Sequence, residues 1–256
     1  MGKTRLLILA QKGTSTNIVY NSLKEDYDIE AVIEEKRVPG NEFLKKRIKK
    51  LGFGQVVGQV LFQFTISKYL ALASTKRRQE ILHEHGLNAS DIDSEKIIKL
   101  NSVNDKSTIA LLQKISPDLI IVNGTRIISN EVLQHISAPF INIHAGITPK
   151  YRNVHGAYWA IVNNDMENCG VTVHLVDKGI DTGNIVYQER IAITSRDNFS
   201  TYPMLQLAEG IKLLKKALVD ISDNKLVFKK GTPESKIWHH PTFWQYLYQR
   251  IVHHKK

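Results

Sequence analysis

Apolar and polar positions follow two different periods along this chain. Short apolar or alternating runs at Arg5 to Ala10, Tyr27 to Ile33, Lys96 to Ser102 and Pro117 to Gly124 read as strands. Phe140 to His144, Gly170 to Val176 and Asn184 to Ile193 read the same way. Asn17 to Asp26, Asn104 to Ile115 and Thr201 to Ile221 repeat their apolar positions at helical spacing. The second of these opens on an Asn or Asp suited to capping, and "NEVLQHI" after it is a short helix. Alternation of strand and helix predicts an α/β fold with a doubly wound, mostly parallel sheet. The first apolar run is too short to cross a bilayer.

One stretch breaks this rhythm. Between the second and third strands, residues 34–94 read as helices. "FLKKRIKKLG" and "STKRRQEILHEHG" carry the charge, and "QVVGQVLFQFTISKYLALA" is apolar but interrupted by Gln59, Gln63 and Lys68. The plain expectation is a helical cap on the sheet edge. The alternative is a contact with a partner, a membrane surface or a second copy. The tail from Ser235 to Lys256 has two Trp, two Tyr and four His. It is expected to pack back on the domain or on a partner subunit. The division expected is a catalytic unit over 1–221, carrying the 34–94 insertion, and a basic aromatic extension over 222–256.

Net charge of +10 on 256 residues points to anionic partners or to a solvated basic surface. A phosphorylated substrate, a polyglutamate tail, nucleic acid or an acidic membrane all fit. The single cysteine, Cys169, excludes an internal disulfide and suggests a reducing compartment, with the cytoplasm as the default. No zinc spacing joins it to His155 and His174, and no metal is expected.

The chemistry concentrates between residues 140 and 184. Asn142 and His144 lie two apart on one strand, so both side chains face the same way. A strand, helix, strand unit then returns the chain to the Gly-rich turn "DKGIDTGN", which can carry Asp181 to His144. An amide, an imidazole and a carboxylate suit acyl transfer: donors for a tetrahedral oxyanion and a group to move a proton. No Ser or Cys elbow accompanies them, so direct attack is expected rather than an acyl-enzyme. In "GVTVHLV", strand alternation makes His174 a satisfied core histidine.

Residues 142–191 resemble the 10-formyltetrahydrofolate-dependent formyltransferases. That family carries N-x-H-x-S-L-L-P-x-[YF], a G-[VT]-[ST] strand and an L-D-x-G loop. Here these stand as Asn142-Ile-His144 through Pro149-Lys150-Tyr151, Gly170-Val-Thr172 and Ile180-Asp181-Thr-Gly183. The resemblance covers about 1–33 and 95–220 and implies a formyltransferase-type fold with 10-formyltetrahydrofolate as formyl donor. It implies Asn142, His144 and Asp181 as catalytic residues. It places the donor's pterin against Gly124, Arg126, Ile127 and Ile128, with Val176, Asp177 and Gly179 opposite. Gly13, Thr14, Ser15, Thr16 and Asn17, after the first strand, would meet a substrate phosphate at a helix N-terminus. Lys150, Tyr151, Arg152 and His155 are the remaining candidates for the acceptor. Two departures, Gly146-Ile147-Thr148 for Ser-Leu-Leu and Asn153 for a Gly, fall where the family shapes its acceptor pocket.

The expected function is an enzyme that formylates the amine of an amino-sugar nucleotide. The alternative is phosphoribosylglycinamide, or another small amine. A charged tRNA is disfavoured because only about 35 residues follow the last long helix, few for an RNA-binding domain. A non-catalytic binding module on the same fold is disfavoured by the intact triad. The expected partner is a small phosphorylated amine, with no specific nucleic acid and no transmembrane segment; a homodimer is compatible with the sequence.

Overall fold

A computed structural model describes residues 3–256. In chain order the elements are β1 (Arg5–Ala10), α1 (Thr14–Leu23), β2 (Asp28–Glu35), α2 (Gly40–Leu51), α3 (Phe53–Phe62), α4 (Lys68–Ala73) and α5 (Thr75–Glu84). A π turn at Gln63–Ser67 joins α3 to α4 into one rod. Then come β3 (Ile97–Leu100), α6 (Lys106–Ile115), β4 (Leu119–Asn123), α7 (Asn130–His135), β5 (Phe140–His144), β6 (Arg152–Asn153) and α8 (Gly156–Val162). The last are β7 (Gly170–Leu175), β8 (Ile185–Arg190), α9 (Tyr202–Ser222), β9 (Ile237–Trp238) and α10 (Phe243–Val252).

Seven strands form one sheet in the order β3-β2-β1-β4-β5-β7-β8. The first five pair in parallel, and β7 pairs antiparallel with both β5 and β8. The α/β, mostly parallel sheet read from the sequence is therefore present. Parallel strands bury both faces, which accounts for their unbroken apolar runs. In β1, Leu6, Ile8 and Ala10 enter one core while Leu7 and Leu9 enter the other. The first core lies under α1, α9 and the helical unit, and the second under α6 and α7. Along α9, Leu207, Ile211, Leu214 and Leu218 form a stripe at helical spacing, all buried.

Boundaries shift slightly from the sequence reading. The first helix begins at Thr14, three residues before Asn17, because the Gly13 carbonyl already accepts from Thr16 and Asn17. Asp105 caps α6 by position without a side-chain bond. Sheet order reverses at β1 and β4, and such switch points open a crevice in doubly wound sheets.

Candidate active site

A cavity of about 430 Å³ opens one strand beyond that reversal, within the range of small-molecule sites. Its walls come from the end of β4 and the following loop, from β5, and from β7 with the loop after it. All seven residues expected to hold a pterin line it: Gly124, Arg126, Ile127 and Ile128 on one side, Val176, Asp177 and Gly179 on the other. Asn142, His144 and Asp181 line it too.

Strand pairing sets the triad. Antiparallel register places Asn142 opposite His174 and His144 opposite Thr172. The turn after β7 then brings Asp181 Oδ2 to 3.3 Å from His144 Nδ1. Asp181 has a left-handed backbone (φ 50°), which Asp tolerates better than most residues. Its carboxylate also accepts from the Asn153 N–H at 2.8 Å. His144 Nε2 donates to the Tyr151 carbonyl at 2.7 Å, so in the neutral ring Nδ1 is the bare nitrogen facing Asp181.

The electrostatics follow from burial. Burial pushes the His144 pKa below its ordinary value, although Asp181 and the Tyr151 carbonyl pull the other way. Burial alone would raise the Asp181 pKa. His144, His174 and the Asn153 N–H outweigh it and hold that carboxyl below its usual value. Near neutral pH the pair is an imidazole beside a carboxylate, poised to accept a proton.

His174 corrects one expectation. It is buried, but not merely a core residue. Its Nδ1 bonds the Leu175 carbonyl, which leaves Nε2 to accept from Asn142 Nδ2 at 3.2 Å. Asp181 Oδ1 lies 3.6 Å away. Alternation gave it the right face; only the partner strand's register shows that this face is the site.

The expected acceptor contacts fare differently. Lys150 pairs with Asp165 and Glu234. The Tyr151 ring is buried, its hydroxyl bonded to Asp165. Arg152 bonds the Ile180 carbonyl, and His155 bonds His240. None of the four lines the cavity, where Asn153 and Val154 stand instead. Gly13 to Asn17 lie outside its lining as well. Thr16 and Asn17 bond Gln11, Ala89 and Asp91, and Asn123 connects Ser15 and Thr16 to the cavity wall. Sequence reading also missed Glu35. This buried carboxylate ion-pairs with Arg126 at 2.6 Å and accepts from the Arg126 N–H. The Ile127 carbonyl is likewise engaged, by Asn104. Those backbone groups serve the protein's own structure, and the Ile127 and Ile128 side chains remain as an apolar wall.

The two departures from the family motif have a packing reason in part. Gly146 and Gly156 touch: a Cβ on Gly146 would meet the Tyr151 carbonyl at 2.3 Å and His144 Nε2 at 2.9 Å. A serine at Gly146 would not fit this backbone. Asn153, with φ 81°, bonds the Trp238 carbonyl and so ties β6 to the C-terminal segment.

A family model described as formyl transferase matches residues 40–218. The chain belongs to the formyl transferase family. The match runs through most of the 34–94 stretch that the motif resemblance had left out. Among relatives, the methionyl-tRNA formyltransferase of Pelotomaculum thermopropionicum is 37% identical over 117 residues, 45% of this chain and 37% of that protein. That of Caldanaerobacter subterraneus subsp. tengcongensis is 32% identical over 141 residues, 54% and 45% of the two. The chain thus spans less than half the length of either relative. Glycinamide ribonucleotide transformylase 1 from Symbiobacterium toebii shares the fold, with TM-score 0.58, 16% identity and 90% and 92% of the two chains covered. A sugar N-formyltransferase from Shewanella sp FDAARGOS_354 gives 0.56 and 16%, over 92% of this formyl transferase family chain and 76% of the other.

Proposed function

We propose that this chain transfers a formyl group from 10-formyltetrahydrofolate to the amine of an amino-sugar nucleotide by direct attack. The observation that carries the reading is the meeting of Asn142, His144 and Asp181 in the lining of one cavity that the seven expected pterin-side residues also line. Asn142 Nδ2 has two hydrogens, and His174 takes one. The other is free to donate to the oxygen that becomes negative as the amine adds, commonly the largest catalytic contribution. His144 Nδ1 accepts the proton lost by the attacking nitrogen, and Asp181 stabilises the imidazolium so formed. The same proton then passes from His144 to the departing nitrogen of the donor. This differs from a mechanism that starts from a protonated His144, because burial favours the neutral ring.

A small acceptor is supported by a second cavity. Asp181 also borders a space of about 220 Å³ lined by Thr148, Asn184, Lys229 and Thr232. Hydroxyls, an amide and an ammonium in that volume suit a sugar and its phosphate. A second reading takes the aminoacyl end of a charged tRNA as the amine. The names of the relatives above and the net charge of +10 favour it.

The discriminating experiment mixes the full chain with 10-formyltetrahydrofolate and an amine panel, and follows tetrahydrofolate release. The panel holds dTDP-, UDP- and GDP-linked amino sugars, glycinamide ribonucleotide and methionyl-tRNA. Turnover with one amino-sugar nucleotide is expected. Turnover confined to glycinamide ribonucleotide or methionyl-tRNA replaces the acceptor and keeps the chemistry.

A further inference from the structure

The helical unit between β2 and β3 carries an apolar surface that stands exposed among the described residues. The rod from Phe53 to Ala73 is 21 residues, with mean hydropathy 1.3 over its most apolar 18, enough by length and composition to cross a membrane. It is nevertheless fastened along one side. Phe62 is fully buried against Phe199 and Tyr246. Gln59 is buried, donates to the His240 carbonyl and accepts from Arg47. Gly58 lies against Thr242, so α10 packs on this side. These contacts hold the rod along the surface of the molecule.

Its other side faces out. Phe53, Val57, Leu61 and Phe64 recur at intervals of four, four and three residues, a single helical stripe that Leu72 extends. Phe53 is 69% exposed, Phe64 64% and Leu72 77%. Tyr69 is exposed beside them, and the neighbouring α10 exposes Trp244, Tyr248 and Ile251 at the same spacing. Such a face on a monomer marks an interaction surface. Basic side chains accompany it. From Gly40 to Ala73 there are six Lys or Arg and one acid, half of the chain's net charge in 34 residues. Lys45, Lys46, Lys49 and Lys50 are exposed on α2, a helix with no buried residue. Lys68 lies over the Phe64 ring at 4.8 Å.

We infer that this face docks on an anionic lipid bilayer, with the rod lying in the interface plane. The stripe is one convex helix side rather than a groove, and aromatic and aliphatic side chains with lysines around them are the composition of interfacial helices. Lysines near an acidic headgroup layer add attraction. A symmetric pairing of two copies through the same face would bring the two basic segments together, which charge opposes. The inference is independent of the acceptor's identity.

The test is co-sedimentation of the full chain with phosphatidylcholine vesicles, with and without phosphatidylglycerol, alongside light scattering of the free protein. Binding to the phosphatidylglycerol vesicles is expected, weakening with added salt. The triple variant Phe53→Ser, Phe64→Ser, Leu72→Ser should lose it while keeping its circular dichroism and melting temperature, because these side chains are exposed. Neutralising Lys45, Lys46, Lys49 and Lys50 to Gln should weaken binding roughly fivefold per lysine. The control Lys106→Gln, Lys114→Gln, on α6, should leave it unchanged. Absence of binding to the anionic vesicles, or equal binding by the triple variant, overturns the inference. A dimer in light scattering that the triple variant dissociates, without vesicle binding, would assign the face to a second copy instead.

Discussion

At the scale of residues, the two ring nitrogens of His144 have separate partners. His144 spends Nε2 on the Tyr151 carbonyl and leaves Nδ1 facing Asp181, where the proposed mechanism puts the proton, and His174 bonds the Asn142 amide. The pH profile should report this. Because the His144 pKa is lowered, its neutral form persists below the ordinary histidine value of about 6.5. The acid limb of kcat/KM is therefore expected below that value, and a limb above it would contradict the assignment of His144 as proton acceptor. Asp181→Asn removes the partner of the imidazolium, so kcat should fall by at least about 100-fold with the fold intact. Near-normal turnover would show Asp181 to be structural. Gly146→Ala should impair both stability and turnover, since its Cβ would clash with the Tyr151 carbonyl that orients His144; melting temperature and kcat measure the two effects. Asn142 and His144 were legible from period two, and Asp181 from the returning strand, helix, strand unit. Glu35 was not legible, because its meaning comes from Arg126, 91 residues away in sequence. Lys150 and His155 neighbour the motif in sequence but turn toward Asp165 and His240, which sequence spacing does not reveal.

At the scale of elements, alternation and helical spacing revealed each strand of the main sheet, because parallel strands buried on both faces leave little ambiguity. The pairing of β9 with β6 was not legible. Two residues carry no period, and the contact is made by Trp238 stacking between Tyr151 and Trp159. The helical unit is joined to the rest through an aromatic cluster. Phe62, Phe199, Tyr158 and Tyr246 pack edge to face and stacked. Phe62→Ala should therefore destabilise the protein by about 3–5 kcal/mol in denaturant unfolding, as large-to-small changes in tight cores do. A loss below about 1 kcal/mol would mean that the rod contributes little to the fold.

At the scale of the whole molecule, buried histidines link stability to acid. His144, His155 and His240 all have pKa values pushed down by burial, His240 to about 4. Between those values and about 6.5 the unfolded chain binds protons that the folded chain refuses. Stability is then complete above about pH 6.5 and declines as pH falls; His240 alone accounts for roughly 2 kcal/mol at pH 5. A melting temperature that stays flat from pH 7 to 5 would contradict this. The sheet order, the cavity beside β4, β5 and β7 and the three residues that converge in its lining together give the reading of a formyl-transferring enzyme. Its most direct test is the rate of tetrahydrofolate release from 10-formyltetrahydrofolate, with the amine panel present, for the wild type and for Asn142→Ala. Turnover by the wild type and a loss of about 100- to 1,000-fold in the variant is expected. Equal rates in the two proteins, or no release with any amine and no binding of the folate, would contradict it.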